Sequence, residues 1–216
     1  MPAYNEAKYI SEVAGKAMKY ADEVLVVDDG SIDYTATTAY DMGCTVIAHD
    51  KNMGNGIAKI TILNEVRKRD FDALVLIDSD GQHNPAEIPK LVNYVEKGYD
   101  LVLGHRNNKQ IPFLRFVGNA VLSLFTSLIS RKYINDSQCG FRALSPKAVR
   151  SINLTEKGMA IESEMIYRAC QERLRIIEIP VSVTYGKDTS TFNPIKHGTY
   201  VLVRIMVIGI KGLLGK

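Results

Sequence analysis

The sequence predicts an α/β fold in which a mostly parallel sheet is flanked by helices. Short apolar runs alternate with longer segments in which apolar residues recur every three or four positions. That alternation is typical of strands followed by amphipathic helices. Two apolar runs end abruptly in aspartates, at Asp28–Asp29 and at Asp78–Ser79–Asp80. Because parallel strands present their carboxyl ends at one edge, we expect these acidic strand ends to share an edge of the sheet.

The first half of the chain predicts four helices and four strands. Residues 1–6 are expected to form a loop. In the first helix, apolar side chains from Ile10 to Ala17 lie on one face, and Gly43 and Gly98 each end a later helix. The apolar run 73–77 is typical of a strand buried on both faces. The expected helices cover residues 7–20, 33–41, 57–69 and 85–97, and the expected strands cover 23–27, 44–48, 73–77 and 100–104.

The second half begins near Gln110 and is more apolar in its helices. Its expected elements are a helix over 113–130, a polar turn over 136–141, helices over 146–152 and 162–173, a strand over 176–184 and an apolar tail over 200–216. Pro180 places the strand at a sheet edge, because proline cannot donate to a neighbouring strand. Segments 113–130 and 200–216 carry few charges, and we expect a pair of interfacial helices on a membrane surface. Packing inside the domain is the alternative for both.

Composition excludes several classes of protein. The chain has 216 residues, is 46% hydrophobic and 24% charged, and carries a net charge of +3, which suits an ordinary globular protein and gives no reason to expect nucleic-acid binding. Its three cysteines are widely spaced and indicate free thiols in a reducing compartment. No apolar run reaches the length of about 18 residues that a spanning helix needs. We expect no signal peptide, because Met1 leads directly into Pro2-Ala3-Tyr4-Asn5-Glu6.

The strongest candidate site follows the strand 73–77. Asp78 and Asp80 are separated only by Ser79, and two carboxylates so close repel each other unless a cation lies between them. Hard oxygen ligands favour Mg²⁺ or Mn²⁺, which proteins often share with substrate phosphates. A helix cap followed by a solvated turn is the alternative reading of so short a motif.

Four motifs occur in order and together carry a resemblance to a known family. They are Pro2-Ala3-Tyr4-Asn5-Glu6, Val26-Val27-Asp28-Asp29-Gly30-Ser31, Gly54-x-Gly56 and Asp78-Ser79-Asp80-Gly81-Gln82-His83. The set resembles the GT-A fold of family 2 glycosyltransferases. Further motifs resemble the polyprenyl-phosphate (dolichyl-phosphate) sugar synthases within that family, namely Gly104-His105-Arg106, Gly118-Asn119 and Asp136 to Arg142. A dinucleotide-binding Rossmann fold is the alternative, but no G-x-G-x-x-G follows the first strand.

The resemblance implies a role for each matching residue. The base and ribose of a nucleotide sugar would be held by Pro2, Tyr4, Glu6, Val27 and Asp29, and the rest of the donor by Asp78, Ser79, Lys187 and Ser190. The metal ligands would be Asp78, Asp80 and Gln82, and the catalytic residues Asp80, Arg106 and Arg115. It also implies one glycosyltransferase domain over residues 1–199, with a nucleotide-binding half at about 1–105, an acceptor-binding half at about 106–199 and a tail at 200–216.

The implied reaction is metal-dependent transfer of a sugar from a nucleotide sugar to a polyprenyl phosphate, with inversion, at the cytoplasmic face of a membrane. The residues 136–142 resemble the glucosyl-type synthases, which favours UDP-glucose or a UDP-N-acetylhexosamine over GDP-mannose. Two alternatives stay open: a soluble family 2 glycosyltransferase with another acceptor, and a non-catalytic protein that binds nucleotide sugars.

Two departures from the family pattern accompany the resemblance. Relatives carry an apolar strand before the first motif, so we expect a central strand to be missing here. The segment 185–191 lacks the Arg and Lys expected at its ends.

Glu162 and Glu164 are expected to favour the start of a helix through its dipole, with sugar recognition as the alternative. The four histidines are expected to be structural or exposed.

Overall fold

The computed structural model describes residues 1–106, 113–184 and 194–213, with residues 113–115, 194–197 and 213 described by their backbone alone. It forms an α/β fold with two neighbouring sheets and helices on both sides. The predicted alternation of strands and helices is confirmed.

The first sheet is parallel and has the order β1-β2-β3. Its strands are β1 (Pro2–Ala3), β2 (Leu25–Asp28) and β3 (Thr45–Ala48). Residues 1–6 were predicted to be a loop, and this prediction is wrong for Pro2–Ala3. The amide of Val27 donates to the carbonyl of Met1 at 2.9 Å, and that of Asp29 to the carbonyl of Ala3 at 2.8 Å. Backbone pairing with β2 therefore makes a strand of a segment that has no apolar run of its own.

The second sheet is mixed and has the order β4-β6-β5-β7. Its strands are β4 (Leu74–Leu76), β5 (Leu101–Arg106), β6 (Arg142–Leu144) and β7 (Ile176–Val181). Strand β6 was not predicted, and it runs antiparallel to both of its neighbours. The expectation of a mostly parallel sheet is therefore too simple for this half of the chain. The β7 strand, which contains Pro180, lies at the edge as predicted.

Eight helices cover the described sheets. They are α1 (Ile10–Ala17), α2 (Thr35–Asp41), α3 (Asn55–Val66), α4 (Ile88–Glu96), α5 (Phe113–Ser130), α6 (Pro146–Ser151), α7 (Ile161–Gln171) and α8 (Pro194–Leu213). A 3-10 turn over Pro85–Glu87 precedes α4 and begins where the Asn84 side chain accepts the amide of Ala86 at 3.1 Å. Ser145 caps α6 in the same way, through the amide of Ala148. These caps set the helix starts that the sequence signals indicated.

The core lies on both faces of the sheets because strand side chains alternate in direction. Val26 and Val102 point into a cluster shared with α1 and α4. Their neighbours Val27, Leu101 and Leu103 point into the opposite cluster, shared with α3 and α7. A smaller cluster packs α5 and α8 together through Leu122, Ala160, Val201 and Ile205. The result is a layered α/β/α body that carries the α5–α8 helix pair.

Candidate active site

A cavity of about 610 Å³ lies at the carboxyl ends of β1, β2, β4 and β5. This is the edge at which open α/β sheets bind ligands. Nine of the predicted site residues line it, namely Pro2, Tyr4, Glu6, Asp29, Asp78, Ser79, Asp80, Gln82 and Arg106. Ser79 also joins the two sheets, because its hydroxyl donates to the carbonyl of Pro2 at 2.9 Å. The predicted motifs therefore meet in one place.

Four predicted site residues are not brought into this cavity by described side chains. Val27 is completely buried in the core and is absent from the cavity lining. Lys187, Ser190 and the side chain of Arg115 lie outside the described residues. The roles of these three stay predictions.

Asp80 and Glu6 are acidic residues in a partly buried place. Burial, followed by the charge of Asp78, raises the pKa of Asp80 from 3.8 to about 6. Burial also raises the pKa of Glu6 from 4.5 to about 7, with the charges of Asp80, Asp33 and Asp78 adding to the effect. Asp80 accepts hydrogen bonds from the amide of Gln82 at 2.9 Å and from its Nε2 at 2.7 Å. A bound cation would relieve the repulsion among these carboxylates.

Asp78 has a different environment from Asp80. Burial alone would raise the pKa of Asp78, but the charges of Lys59 and then of His83 outweigh it and lower the pKa below 3.8. The Nζ of Lys59 lies 3.5 Å from Oδ1 of Asp78. On the other side, a Cβ added to Gly140 would stand 2.3 Å from Oδ2. Only glycine therefore leaves room for the Asp78 carboxylate.

Lys59 belongs to a buried ionic network that the sequence analysis missed. It pairs with Glu162, whose Oε2 lies 3.0 Å from a guanidinium nitrogen of Arg142. Arg142 is fully buried and also donates to the carbonyls of Ser137, Cys139 and Glu162, each at 2.8 Å. Glu162 does lie in the first turn of α7, as expected. Its partners, however, are these two cations, so the helix dipole alone does not explain it.

A sequence signal for Lys59 existed. The buried face of α3 contains Lys59, Ile62, Leu63 and Val66, which follow the spacing of a helical apolar stripe. A lysine at a core position of such a stripe needs a buried anionic partner.

Glu164, the second glutamate of this pair, is absent from the cavity lining. It accepts the amides of Thr155 and Glu156, each at 2.8 Å, and so holds the loop before α7.

Asp29 organises the turn that begins α3. Its carboxylate accepts the amides of Met53 at 3.0 Å and Gly54 at 2.7 Å, and it lies 2.7 Å from Nδ1 of His49. The next glycine, Gly56, donates its amide to the carbonyl of Lys157 at 3.0 Å. A Cβ at Gly56 would stand 2.3 Å from the carbonyl oxygen of Glu156. The predicted Gly54-x-Gly56 motif thus provides close packing against the loop before α7.

Arg106 is held at the cavity wall by a bidentate ion pair. Its Nε and Nη2 donate to the two carboxylate oxygens of Asp136 at 2.7 and 2.9 Å. Burial alone would raise the pKa of Asp136, but the hydrogen bonds and charge of Arg106 lower it. Such forked pairs fix the direction of a guanidinium. Arg106 therefore presents positive charge in a set orientation beside the acidic residues.

The far side of the cavity is formed by the α5–α8 pair. Gly118, Asn119 and Leu122 line it from α5, and Gly198, Tyr200 and Val201 from α8. The outward faces of the two helices are also apolar. Their large exposed apolar residues are Val117, Val121, Leu124 and Leu128 on α5 and Tyr200, Val203, Met206 and Ile210 on α8.

The acidic end of the cavity fits a divalent cation. Among the described residues, no group of three or more His, Cys, Asp or Glu side chains is arranged to hold a metal. Mg²⁺ and similar ions, however, are commonly bound by one or two carboxylates together with water and substrate phosphates. Asp78 and Asp80 supply that number, and the raised pKa of Asp80 reflects negative charge that a cation would stabilise.

The family match and the similar proteins both indicate a glycosyltransferase. Residues 1–144 match glycosyl transferase family 2. The chain is 31% identical to a UDP-N-acetylglucosamine–dolichyl-phosphate N-acetylglucosaminyltransferase of Methanococcus voltae, over 94% of this chain and 89% of that protein. It is 26% identical to a polyprenol monophosphomannose synthase of Mycolicibacterium smegmatis, over 85% of this chain and 76% of that protein.

A solved structure has the same fold. The glucosyl-3-phosphoglycerate synthase of Mycobacterium tuberculosis, in a crystal structure with Mn²⁺ and UDP-glucose, superposes with a TM-score of 0.75 and 19% identity, over 96% of this chain and 76% of that one. The architecture described above is therefore a GT-A-like α/β fold. With the family match over two thirds of its length, the chain belongs to glycosyl transferase family 2 and is a glycosyltransferase.

Proposed function

We propose that this glycosyltransferase moves a sugar from a nucleotide-sugar donor to a polyprenyl phosphate, with Mg²⁺ or Mn²⁺ and with inversion at the sugar carbon. One observation carries the proposal: a single cavity has an acidic end at Glu6, Asp78 and Asp80 and a largely apolar end between α5 and α8. A diphosphate donor with its cation suits the first end. An acceptor with a charged head and a hydrocarbon chain suits the second.

The residues of the acidic end would have different roles in donor binding. Asp80, Asp78 and Gln82 would hold the cation, which supplies positive charge to the leaving diphosphate. Pro2, Tyr4, Glu6 and Asp29 would contact the base and ribose, and Ser79 the adjacent part of the donor. Val27 would support the site only as part of β2, because it is buried in the core and does not line the cavity.

Arg106 would stabilise the negative charge that develops as the sugar leaves the diphosphate. Its fixed orientation on Asp136 supports this role, because a preorganised donor needs no rearrangement during the reaction. Arg115 would act with it, and Lys187 and Ser190 would cover the donor. The acceptor phosphate is already an anion near neutral pH, so it can attack the sugar carbon without a general base.

The acceptor would be taken from a membrane surface, on the cytoplasmic side. The exposed apolar faces of α5 and α8 support this proposal, since an apolar face beside basic residues is typical of interfacial helices. Lys211 is the basic residue in the last turn of α8, whereas Arg204 on the same helix is paired with Glu156. Within the described ranges, no helix combines the length and the apolar character needed to cross a membrane.

A UDP sugar is the favoured donor. The relative from Methanococcus voltae is named for UDP-N-acetylglucosamine, and the solved structure contains UDP-glucose. GDP-mannose is the second candidate, because another relative is named a polyprenol monophosphomannose synthase.

The test is transfer of label from radioactive UDP-glucose, UDP-N-acetylglucosamine and GDP-mannose to a short polyprenyl phosphate, with Mn²⁺ or Mg²⁺. Label is expected in the lipid phase only with metal and only when Asp80 is intact, so Asp80→Ala is the negative control. Donor hydrolysis or transfer to a water-soluble acceptor, with no lipid product, would instead favour a soluble family 2 activity. Donor binding without any turnover would leave only a nucleotide-sugar-binding protein.

A further inference from the structure

Lys59 is a charged residue whose side chain is almost entirely removed from water. It is 1% exposed and lies on the buried face of α3, among residues of the core. Burying an ammonium group costs several kcal/mol unless carboxylates and hydrogen bonds compensate it. Lys59 therefore needs anionic partners close to its ammonium group, and it has two.

Those partners differ in their exposure to the cavity. Glu162, 1% exposed, accepts a hydrogen bond from Nζ on the core side. Asp78 lies on the cavity side, with Oδ1 at 3.5 Å from Nζ and its side chain 31% exposed. Lys59 itself does not line the cavity. It can reach a bound substrate only through Asp78.

The core end of this chain of charges is rigid. Arg142 forms an ion pair with Glu162 and donates hydrogen bonds to three backbone carbonyls at 2.8 Å. Arg142, Glu162, Lys59 and Asp78 thus form an alternating series of two cations and two anions, and their charges cancel. The series leads from the middle of the core to one carboxylate in the cavity.

We infer that Lys59 is a positioning residue for the donor nucleotide, because it fixes the Asp78 carboxylate between its own ammonium group and the backbone of Gly140. This inference rests on the proposed function, since it assigns Asp78 a task within that donor site. Because one oxygen of Asp78 already faces Lys59, Asp80 would be the main carboxylate ligand of the cation. Asp78 then serves mainly to orient the nucleotide sugar.

If Lys59 only stabilised the fold, a folded variant without it would bind the nucleotide as tightly as the wild type. Buried ion pairs often contribute little to stability when both partners are replaced together by neutral groups. The double variant Lys59→Met/Glu162→Gln removes one charge of each sign, so it keeps the network neutral and is expected to fold. The single variant Glu162→Gln removes the core-side partner but leaves Lys59 beside Asp78, and it is the matched control.

The experiment is calorimetric titration of each protein with UDP, and in parallel with GDP, at saturating Mn²⁺. The double variant is expected to lose about tenfold or more in affinity for the nucleotide that the wild type binds, as is usual when a supporting partner of a site is removed. Glu162→Gln is expected to stay within about threefold of the wild-type affinity, equivalent to about 0.7 kcal/mol or less, because Lys59 remains beside Asp78. In turnover assays the donor KM rises for the double variant, while the acceptor KM does not change.

The outcomes separate this inference from the proposal on which it rests. A folded double variant, checked by circular dichroism and thermal melting, that binds the nucleotide as tightly as the wild type overturns the role of Lys59 alone. Equal losses in Glu162→Gln and the double variant also overturn it, because they indicate general damage to the network. A wild type that binds neither UDP nor GDP overturns the proposed function itself.

Discussion

Glu6, Asp78 and Asp80 form the acidic end of the cavity, yet their surroundings give them different properties. Asp78 is beside the Lys59 ammonium group and has a lowered pKa. Asp80 and Glu6 are affected by burial and by other carboxylates, and their pKa values rise to about 6 and about 7. Asp78 is therefore fully ionised near pH 7. Asp80 and Glu6 exchange protons close to that pH and are the groups that a cation would stabilise most.

Asp80→Asn is expected to reduce sugar transfer by at least about 100-fold, equivalent to roughly 2.7 kcal/mol of transition-state stabilisation. The reason is that the amide cannot supply the negative charge that holds the cation against the leaving diphosphate. Asp72→Asn is the matched control, because Asp72 is exposed and precedes β4, and its activity is expected to equal that of the wild type. Unchanged turnover in Asp80→Asn would remove Asp80 from the catalytic site.

The raised pKa values also predict how stability depends on pH without metal. A carboxyl group whose pKa is higher in the folded state than in the unfolded chain binds its proton more tightly when folded, so protonation stabilises the fold. Glu6 and Asp80 therefore favour the fold at low pH, and this contribution is lost as pH rises from about 4 to about 7. Thermal melting between pH 5 and pH 8 is expected to show a smaller loss of Tm in Glu6→Gln than in the wild type.

Added Mn²⁺ is expected to raise the wild-type Tm more at pH 8 than at pH 5, since protons and the cation compete for the same oxygens. A stabilisation by Mn²⁺ that does not vary with pH would contradict the assignment of the ion to these carboxylates.

The acidic site could be predicted from the sequence because its residues interrupt apolar runs at strand ends. The ordered motifs around Asp29 and Asp80 made that prediction specific. Lys59 could not be placed in the same way, because its partner Glu162 is 103 residues away along the chain. The apolar stripe of α3 indicates that Lys59 is buried, but nothing in the sequence identifies Glu162 as the carboxylate that compensates its charge.

At the scale of elements, the start of α3 and the loop before α7 form one packed unit. Gly56 is the contact point, because its missing Cβ leaves room for the carbonyl oxygen of Glu156. The same loop is tied to α8, where Arg204 donates to both carboxylate oxygens of Glu156 at 2.8 and 2.7 Å. The loop thereby connects the donor end of the cavity to the helix pair.

Gly56→Ala is expected to destabilise the protein by about 1–3 kcal/mol, because the new methyl group meets backbone atoms that cannot move away cheaply. Gly118→Ala is the matched control: it is also a helical glycine, but its Cβ would meet nothing within 4 Å. The control is expected to be neutral or more stable by up to about 1 kcal/mol, since alanine favours helices. Urea denaturation measures both, and equal effects would contradict the packing argument.

The elements missed from the sequence are short and depend on distant partners. Strand β6 has only three residues and begins with the buried Arg142, so it shows no apolar alternation of its own. Strand β1 has only two residues. The long helix α5, in contrast, was predicted with its observed bounds, Phe113–Ser130, because its periodic pattern extends over many turns.

For the whole molecule, the exposed apolar faces of α5 and α8 predict binding to membranes. Leu124 and Leu128 are 57% and 62% exposed, and burying the exposed part of each is worth about 1 kcal/mol or more. The double variant Leu124→Asn/Leu128→Asn is therefore expected to bind liposomes at least about tenfold more weakly in flotation assays at low salt. UDP binding in the presence of Mn²⁺ is expected to be unchanged.

Ile32→Asn is the matched control for flotation, because Ile32 is 91% exposed but lies in the loop between β2 and α2. It is expected to float like the wild type. A wild-type protein that remains in the soluble fraction at low salt would refute the proposed interfacial role of the two helices.

The proposed acceptor end of the cavity, beside α5 and α8, has a kinetic consequence. An enzyme that draws one substrate from a surface encounters it in two dimensions, so its rate follows the mole fraction of the acceptor in the bilayer and not the amount per millilitre. Diluting a fixed quantity of polyprenyl phosphate with inert phospholipid is expected to slow transfer, even though the bulk concentration is constant. Adding more vesicles of the same composition is expected to leave the turnover of each bound enzyme unchanged.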